Sequence, residues 1–271
     1  MSLPQPAPDR TALVTGASSG IGVELARELA RRGHGVTLVA RREDRLRELA
    51  TQLRAHGVRA ETLACDLADA DARAALPGRV EELGLEVDVL VNNAGFSTTG
   101  PVAKADVDAE LRMIEVDVVA VADLCTRVVP GMVQRGRGAV LNVASTAAFQ
   151  PLPGQAGYGA CKAFVLSYTR SLGGELTGTG VSATALCPGP VETGFADAAG
   201  FTERETKGSM PSFMWESAES VAKVGVDALE AGHPVAIPGM ANRVTAVLAS
   251  LAPKRLLVPL VARQHPALKR S

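Results

Sequence analysis

TGASSGIG, at residues 15–22, sets three glycines between a short apolar run and a helical pattern. Gly16 permits a tight turn, and Gly20 and Gly22 leave room for backbone N–H groups to approach a ligand. The amino end of a helix attracts phosphate, because its free N–H groups and its dipole point toward the anion. The segment therefore predicts a phosphate loop, with turn geometry alone as the alternative. The residues expected to contact the ligand are Gly16, Ser18, Ser19, Gly20, Ile21 and Gly22.

Around this loop, short apolar runs alternate with longer helical patterns, which is typical of a parallel sheet covered by helices on both faces. Strands are predicted at 12–14, 35–40, 59–64, 87–91, 139–143, 182–186 and 234–237. Helices are predicted at 20–32, 43–56, 69–83, 106–134, 156–178 and 217–231. The pattern predicts an α/β protein with a single-domain Rossmann fold, in which a doubly wound seven-stranded parallel sheet is flanked by helices.

Composition excludes several classes of function. The 271 residues are 46% hydrophobic, which is ample for a core. The 28 Lys and Arg and the 29 Asp and Glu give a net charge of −1, so no broad basic surface for nucleic acid is expected. Aromatic residues make up only 3%, which argues against a stacking platform for single strands.

Metal sites, disulfides and membrane spans are not expected either. The four cysteines lie far apart without a CxxC pair, and the four histidines are scattered. The first ten residues lack the basic and apolar regions of a secretory signal, so a cytoplasmic location is expected. The apolar segment 244–262 is interrupted by Pro253 and Pro259 and by two basic residues, so it does not predict a simple transmembrane span.

The choice of cofactor depends on VARRED at residues 39–44, which ends the second strand with Arg41 and Arg42. A site for NAD usually has a carboxylate there for the ribose 2′-hydroxyl, and a carboxylate would repel a 2′-phosphate. A guanidinium attracts that phosphate through charge-assisted hydrogen bonds. NADP(H) is therefore the expected cofactor, mainly through Arg41, while NAD(H) stays possible. The alternative is that both arginines merely begin a solvated helix.

Asp66 lies in CDLAD, at residues 65–69, where the third strand ends. Its carboxylate is placed to accept a hydrogen bond from the amino group of an adenine. Capping of the following helix is a competing role for the same side chain.

Tyr158 and Lys162 lie four residues apart in YGACK, so one helical turn places phenol and ammonium on the same face. A phenol in water has a pKa of about 10 and needs a nearby cation to act as an acid or base at neutral pH. Lys162 is placed to be that cation, and Ser145 lies upstream. The spacing alone also occurs by chance on amphipathic helices.

Taken in order, these motifs resemble the classical short-chain dehydrogenases/reductases. They are TGASSGIG, Asp66 with Leu67, NNAG at 92–95, Ser145, YGACK and PGPVET at 188–193, and the resemblance covers roughly residues 10–240. The wording around NNAG and in the tail is most similar to ketoreductase-like members. The family implies a Rossmann fold, a homodimer or homotetramer, and NAD(P)(H)-dependent oxidation of alcohols or reduction of carbonyls.

The resemblance also implies a role for each matched residue. Tyr158 would be the general acid in reduction and the base in oxidation, while Lys162 would hydrogen-bond the nicotinamide ribose and lower the pKa of Tyr158. Ser145 would hold the substrate oxygen as it becomes negative. The remaining expected cofactor contacts are Leu67, Asn93, Ala94 and Gly95 beside the adenosine, and Pro188, Gly189, Val191 and Thr193 around the nicotinamide.

Asp117, in IEVDVVAVADL, departs from the family pattern, which commonly has Asn there to anchor a water that links the Lys to bulk solvent. An ionised carboxylate near Lys162 favours the ammonium and cannot donate as an amide does. Two effects stay open: Asp117 weakens the influence of Lys162 on Tyr158, or it speeds proton relay. We expect that the protein retains activity with an altered pH profile. Asp117 is expected to be a fourth catalytic residue beside Ser145, Tyr158 and Lys162.

The domain organisation follows from the segments outside the alternation of strands and helices. A flexible N-terminal tail is expected at 1–9, and the catalytic domain that binds NADP at 10–240. Residues 190–215 are expected to form a flap over the substrate, because their Phe, Met and Trp side chains would be costly in water; a merely long surface loop is the alternative. The apolar and basic extension at 241–271 is expected to pack on the domain or at an oligomer interface, in preference to a membrane.

The leading hypothesis is an NADPH-dependent carbonyl reductase that acts on an apolar ketone, aldehyde or secondary alcohol, with long-chain 3-oxoacyl compounds, steroids, xenobiotic ketones and polyketide intermediates all open. A first alternative is a protein that binds or senses NADP with weak or no catalysis, for which Asp117 would be an early sign. A second alternative is an NAD-linked alcohol dehydrogenase, which Arg41 disfavours.

Overall fold

The computed structural model describes residues 3–193, 211–264 and 268. Within these residues, seven parallel strands form one sheet in the order β3-β2-β1-β4-β5-β6-β7. The strands are β1 Arg10–Thr15, β2 Val36–Ala40, β3 Ala60–Ala64, β4 Glu86–Asn92, β5 Gly138–Val143, β6 Val181–Leu186 and β7 Val235–Ala236. Every predicted strand is present, and the predicted doubly wound α/β fold is confirmed.

The helices cover both faces of this sheet. They are α1 Gly20–Arg31, α2 Glu43–Ala55, α3 Ala70–Ala74, α4 Leu76–Glu82, α5 Val107–Ile114, α6 Ala120–Gln134, α7 Ala156–Glu175, α8 Ala218–Glu230, α9 Met240–Leu251 and α10 Lys254–Gln264.

The core has two halves because successive strand residues point to opposite faces. In β1, Val14 packs with α1, α2 and α8, whereas Leu13 packs with α4, α6 and α7. β5 is buried at every position, as expected for a strand with helices on both sides. The strand order reverses between β1 and β4, and such a reversal opens a crevice at the carboxyl ends of the strands.

Two long predicted helices are divided in the structure. The helix expected at 69–83 forms α3, which Asp69 caps, and α4, which begins just before Pro77. Pro favours the first turn of a helix, where no backbone hydrogen bond is lost. The helix expected at 106–134 is interrupted by one turn of π-helix, Glu115–Val119, between α5 and α6. π-helical turns insert one extra residue and often occur at functional sites.

The N-terminal segment and helix α9 both contact the domain. Leu3 is buried in the core cluster beside α1, so the segment expected to be a flexible tail is anchored there, which its proline-rich composition did not indicate. In α9 the buried residues are Asn242, Ala246 and Ala249. The apolar stripe that includes Val244 and Leu251, expected to pack on the core or at a dimer contact, is exposed in the single chain because the opposite face carries the buried residues. No helix among the described residues is long and apolar enough to cross a membrane.

The segment expected to be a flap lies largely outside the described residues, at 194–210. Its two described ends meet: Val191 forms a parallel bridge with Glu216, and the Glu216 N–H donates to the Pro190 carbonyl at 3.0 Å. The Ser212–Met214 turn then leads into α8.

Candidate active site

A cleft of about 940 Å³ lies at the carboxyl ends of β1, β4, β5 and β6. Nearly every residue expected to contact cofactor or substrate lines this cleft. The exceptions are Gly22, which packs beneath the loop, and Asp117, which is buried behind the cleft wall. The lining residues from the expected set are Gly16, Ser18, Ser19, Gly20, Ile21, Arg41, Arg42, Asp66, Leu67, Asn93, Ala94, Gly95, Ser145, Tyr158, Lys162, Pro188, Gly189, Val191 and Thr193.

The glycine loop between β1 and α1 is built for close backbone approach. Gly16 has a φ of +69°, and a Cβ on it would lie 2.7 Å from Asn93 Nδ2. A Cβ on Gly22 would lie 2.4 Å from the Gly16 carbonyl oxygen, so this glycine lets α1 pack against the loop. Ser19 precedes α1 without capping it through its side chain. The amino end of α1 therefore faces the cleft as a site for an anion, which fits a pyrophosphate.

Asn93 fixes the other side of the loop. Its amide nitrogen donates to the Thr15 carbonyl at 2.9 Å, and its backbone N–H donates to Thr15 Oγ1 at 3.0 Å. The adjacent Asn92 is buried in the sheet and donates to Asn142 Oδ1 at 2.9 Å. The two asparagines of NNAG thus have separate tasks, since Asn93 shapes the cleft and Asn92 ties β4 to β5.

The two arginines after β2 are not equivalent. The Arg42 guanidinium donates to Ser18 Oγ at 3.0 Å and to the Ser18 carbonyl at 3.2 Å, so it braces the glycine loop. Arg41 is exposed at the cleft and forms no hydrogen bond or ion pair with the residues that the structure describes. Its guanidinium is therefore available to a ligand, which fits a 2′-phosphate.

Asp66 does not cap α3, because Asp69 does so through hydrogen bonds from Asp71 and Ala72. Asp66 instead accepts from the Ala68 N–H at 3.1 Å and pairs with Arg112 of α5 at 2.5 Å. Arg112 also lines the cleft and was not among the expected residues. The pair joins α5 to the end of β3, and both side chains stay partly exposed.

Ser145, Tyr158 and Lys162 converge on the cleft wall from two elements. Ser145 follows β5, and its hydroxyl oxygen accepts from the Ala147 N–H at 3.1 Å, which fixes its position. Tyr158 and Lys162 lie one turn apart on α7, with the ammonium 5.6 Å from the centre of the phenol ring. Lys162 Nζ also donates to the Val143 carbonyl at 3.2 Å.

Asp117 comes from the π-helical turn and meets Lys162 in the interior. Its Oδ2 lies 2.9 Å from Lys162 Nζ, and its Oδ1 accepts from the Phe96 N–H at 3.0 Å. Gly95 makes this contact possible, because a Cβ there would lie 2.9 Å from Asp117 Oδ2 and 3.1 Å from Lys162 Nζ. Asp117 and Lys162 therefore form a buried ion pair behind Tyr158.

The charges around Tyr158 compete. Burial and the charge of Asp117 raise the pKa of the Tyr158 phenol. The charge of Lys162 and a hydrogen bond with Ser145 lower it, and the net result is a raised pKa. Burial also lowers the pKa of Lys162, but the charges of Asp117 and Tyr158 raise that pKa more, so the ammonium is retained. Lys162 thus lowers the pKa of Tyr158 as expected, but burial and Asp117 together outweigh this effect.

The segment after β6 is held by the C-terminal helix α9. A Cβ on Gly189 would lie 2.4 Å from Asn242 Oδ1, and Asn242 Nδ2 donates to the Met214 carbonyl at 3.0 Å. Asn242 is therefore a positioning residue for both described ends of the expected flap. This role was not predicted, because the contact joins residues far apart in the chain.

The rest of the cleft is largely apolar. Residues outside the list of expected contacts form this part: Phe96, Val116, Thr146, Ala147, Gln150, Leu152, Gln155, Thr245, Leu257, Leu260 and Val261. They join Met214 and Trp215 from the described end of the expected flap. Helix α10 thus contributes side chains to the cleft, a contact that the sequence alone does not reveal. Among the described residues, no cluster of His, Cys, Asp or Glu could hold a metal ion.

Comparison with known proteins gives a consistent answer. A model of the short chain dehydrogenase family matches residues 10–203. A short chain dehydrogenase of Pseudocercospora fijiensis is 42% identical over 203 residues, which cover 71% of this chain but only 65% of that relative. A protein named as a ketoacyl reductase in Streptomyces coelicolor is 41% identical over 187 residues, 68% of this chain and 72% of the relative.

A solved structure is similar over nearly the whole chain. It is a short-chain dehydrogenase from Sphingobium yanoikuyae in complex with NADPH, 33% identical, with a TM-score of 0.79 over 92% of this chain and 95% of that chain. The shared fold, the family match and the arrangement of the cleft agree. The chain therefore belongs to the short-chain dehydrogenase/reductase family.

Proposed function

We infer that the protein is an NADPH-dependent carbonyl reductase that interconverts an apolar ketone or aldehyde and its alcohol. One observation carries this proposal: Ser145, Tyr158 and Lys162 converge on the wall of a cleft whose floor is the glycine loop. A protein that only binds a dinucleotide has no need of that trio. The ketoacyl reductase relative and the NADPH complex of the similar structure support the same reaction class.

The residues present fit a nicotinamide dinucleotide. Gly16, Gly20 and the amino end of α1 would hold the pyrophosphate, and Arg41 would hold the 2′-phosphate, so we propose a preference for NADP(H) over NAD(H). Asp66 and Leu67 would lie beside the adenine, and Gly189 and Thr193 beside the nicotinamide. When bound, the reduced cofactor supplies the hydride.

The protein contributes placement and proton transfer. Tyr158 donates a proton from its phenol to the developing alkoxide during reduction, and it accepts that proton during oxidation. The Ser145 hydroxyl donates a hydrogen bond to the same oxygen and stabilises its growing negative charge. Lys162 stabilises the phenolate that remains, while Asp117 keeps Lys162 protonated.

The proposed substrate is apolar because of the side chains that face it. Phe96, Val116, Leu152, Met214 and Trp215 line the cleft with apolar side chains. Ligand sites commonly combine such walls with a few polar groups that fix orientation. Gln150 and Gln155 would provide these groups here.

We further propose a homodimer or homotetramer with a cytoplasmic location. Exposed apolar side chains on α5 and α7 support association, since Leu111 is 57% exposed and Phe164 is 39% exposed. All four cysteines are free and buried, as in proteins of reducing compartments.

The test is turnover of a ketone panel with the purified protein. Oxidation of NADPH and of NADH is followed with short polar, long-chain and bicyclic ketones. We expect turnover of apolar ketones with NADPH and a loss of at least about 100-fold in Ser145→Ala. Binding of NADPH without turnover of any panel member would favour the sensing alternative, for which the Asp117 substitution is the motivating observation. Faster turnover with NADH would favour an NAD-linked dehydrogenase.

A further inference from the structure

The C-terminal segment differs in charge from the rest of the chain. Residues 240–271 contain six Lys and Arg and no Asp or Glu, although the whole chain has a net charge of −1. In the described part, Arg243, Lys254, Arg255 and Arg263 are exposed. The two turns that pack against α9, at Thr146–Phe149 and Ser212–Met214, also carry no acidic residue. This end of the molecule is therefore locally basic.

The same segment exposes large apolar side chains. α9 turns its small or polar residues Asn242, Ala246 and Ala249 toward the domain. Its opposite side, together with the outer side of α10, forms a surface that we call the C-terminal apolar face. Its residues and exposed fractions are Met240 71%, Val244 51%, Val247 50%, Leu248 62%, Leu251 77%, Leu256 67% and Leu260 54%.

The C-terminal apolar face borders the mouth of the cleft. Leu257 and Val261, one turn apart on α10, line the cleft, and Leu260 both lines the cleft and is 54% exposed. Leu256 lies one turn before Leu260 and is exposed. α10 thus separates the cleft from the exposed face by the width of one helix.

We propose that the C-terminal apolar face docks on an anionic lipid bilayer, with α9 and α10 lying in the interface. Exposed leucines flanked by Lys and Arg are the chemistry that binds such a surface, through burial of apolar area and attraction to lipid phosphates. A second copy of the chain fits less well, because a twofold contact would bring two segments of the same positive charge together. The docked enzyme would have the mouth of its cleft beside the bilayer.

The test is flotation of the full chain with phosphatidylcholine vesicles, with and without phosphatidylglycerol. We expect binding only to the anionic vesicles, with release at high salt. Leu248→Ser, Leu251→Ser and Leu256→Ser together should weaken binding at least about ten-fold, because apolar area no longer enters the bilayer. Removal of one charge, as in Arg255→Ala, should weaken it about five-fold.

Matched controls come from another part of the surface. Val102→Ser removes an apolar side chain that is 70% exposed, and Lys104→Ala removes an exposed charge, so neither should change binding. Thermal melting checks that each variant is folded.

The proposal is overturned if anionic and neutral vesicles bind equally or not at all, or if Val102→Ser weakens binding as much as the leucine changes. It is also overturned if the parent protein does not bind vesicles and the leucine changes dissociate an oligomer. That result would assign the face to a second copy of the chain. Turnover is not measured, so failure here leaves the proposed reaction standing.

Discussion

Lys162 Nζ lies 2.9 Å from Asp117 Oδ2, and both side chains are buried. The carboxylate raises the pKa of Lys162 and also raises that of Tyr158, whereas the ammonium lowers that of Tyr158. The ion pair therefore partly cancels the influence of Lys162 on the phenol. Burial raises the pKa of Asp117 above its usual value, although the charge of Lys162 and hydrogen bonds from Lys162 and the Phe96 N–H oppose that rise.

Asp117→Asn should shift the pH dependence of turnover to lower pH. Loss of the negative charge removes one of the causes that raise the pKa of Tyr158, so the phenol ionises more easily. Alcohol oxidation needs the ionised phenol, and its rate should rise at lower pH than in the parent. Carbonyl reduction needs the neutral phenol, and its decline should also begin at lower pH. The measurement is kcat/KM against pH in both directions, and superimposable curves for parent and variant would show that Asp117 has no influence on Tyr158.

Gly95→Ala should disrupt the same ion pair by contact. The added methyl would lie 2.9 Å from Asp117 Oδ2 and 3.1 Å from Lys162 Nζ, and both groups are buried with little room to move. We expect kcat to fall at least about ten-fold and the melting temperature to fall. Gly174→Ala on α7 is the control, since its new methyl meets no atom within 4 Å. Parent-like kcat in Gly95→Ala would mean that the pair can move without consequence.

Arg41→Ala should change cofactor selectivity. Arg41 is exposed at the cleft, whereas Arg42 donates hydrogen bonds to Ser18, so substitutions of the two arginines should have different effects. Loss of one charge-assisted contact to a 2′-phosphate should raise the KM for NADPH about ten-fold and leave that for NADH nearly unchanged. Arg45→Ala, an exposed change one turn along α2, is the control. An equal increase in KM for NADPH and NADH would show that Arg41 does not hold the 2′-phosphate.

Arg32→Ala should weaken the contact between α1 and α8. Arg32 pairs with Glu28 on its own helix and with Asp227 and Glu230 on α8. Hydrogen bonds from Arg31 and Arg32 lower the pKa of Glu28, and Lys223 and Arg32 outweigh burial to lower that of Asp227. We expect a loss of about 1 kcal/mol of unfolding free energy at neutral pH.

That loss should depend on pH with a definite sign. Both carboxyls have depressed pKa values in the folded state, so their stabilisation is present above their unfolded pKa of about 4 and disappears as pH falls through the lower folded value. Urea unfolding at several pH values should show the difference between parent and Arg32→Ala shrinking in acid. Arg31, among the described residues, forms its ion pair with Glu28 alone, so Arg31→Ala should cost less. A difference that grows in acid would rule out these carboxylates as the source.

The sequence predicted the sheet well because its strands are short apolar runs bounded by turns, and burial on both faces leaves that signal undisturbed. Breaks within helices were not predicted. Nothing in EVDVV marks a π-helical turn, because the extra residue is accommodated by the packing of Asp117 against Lys162. The exposed stripe of α9 was assigned to packing because periodicity shows that a helix has an apolar side, but not which side meets the core.

The candidate site was predictable where it is local in sequence. The glycine loop, Arg41 and the pair Tyr158 and Lys162 all lie in motifs whose spacing carries the chemistry. Contacts between distant segments were missed, such as Arg112 with Asp66 and Asn242 with Gly189. These require the fold, because only the strand order brings α5 and α9 to the carboxyl ends of the sheet.

The central claim is that Tyr158 transfers the proton in a reaction that uses NADPH, and Tyr158→Phe tests it most directly. This variant keeps the ring beside Lys162 and removes only the hydroxyl. We predict that the Kd for NADPH, measured by fluorescence, stays within about two-fold of the parent while kcat with an apolar ketone falls about 100- to 10,000-fold. Turnover of Tyr158→Phe at the rate of the parent, with NADPH bound, would contradict the account.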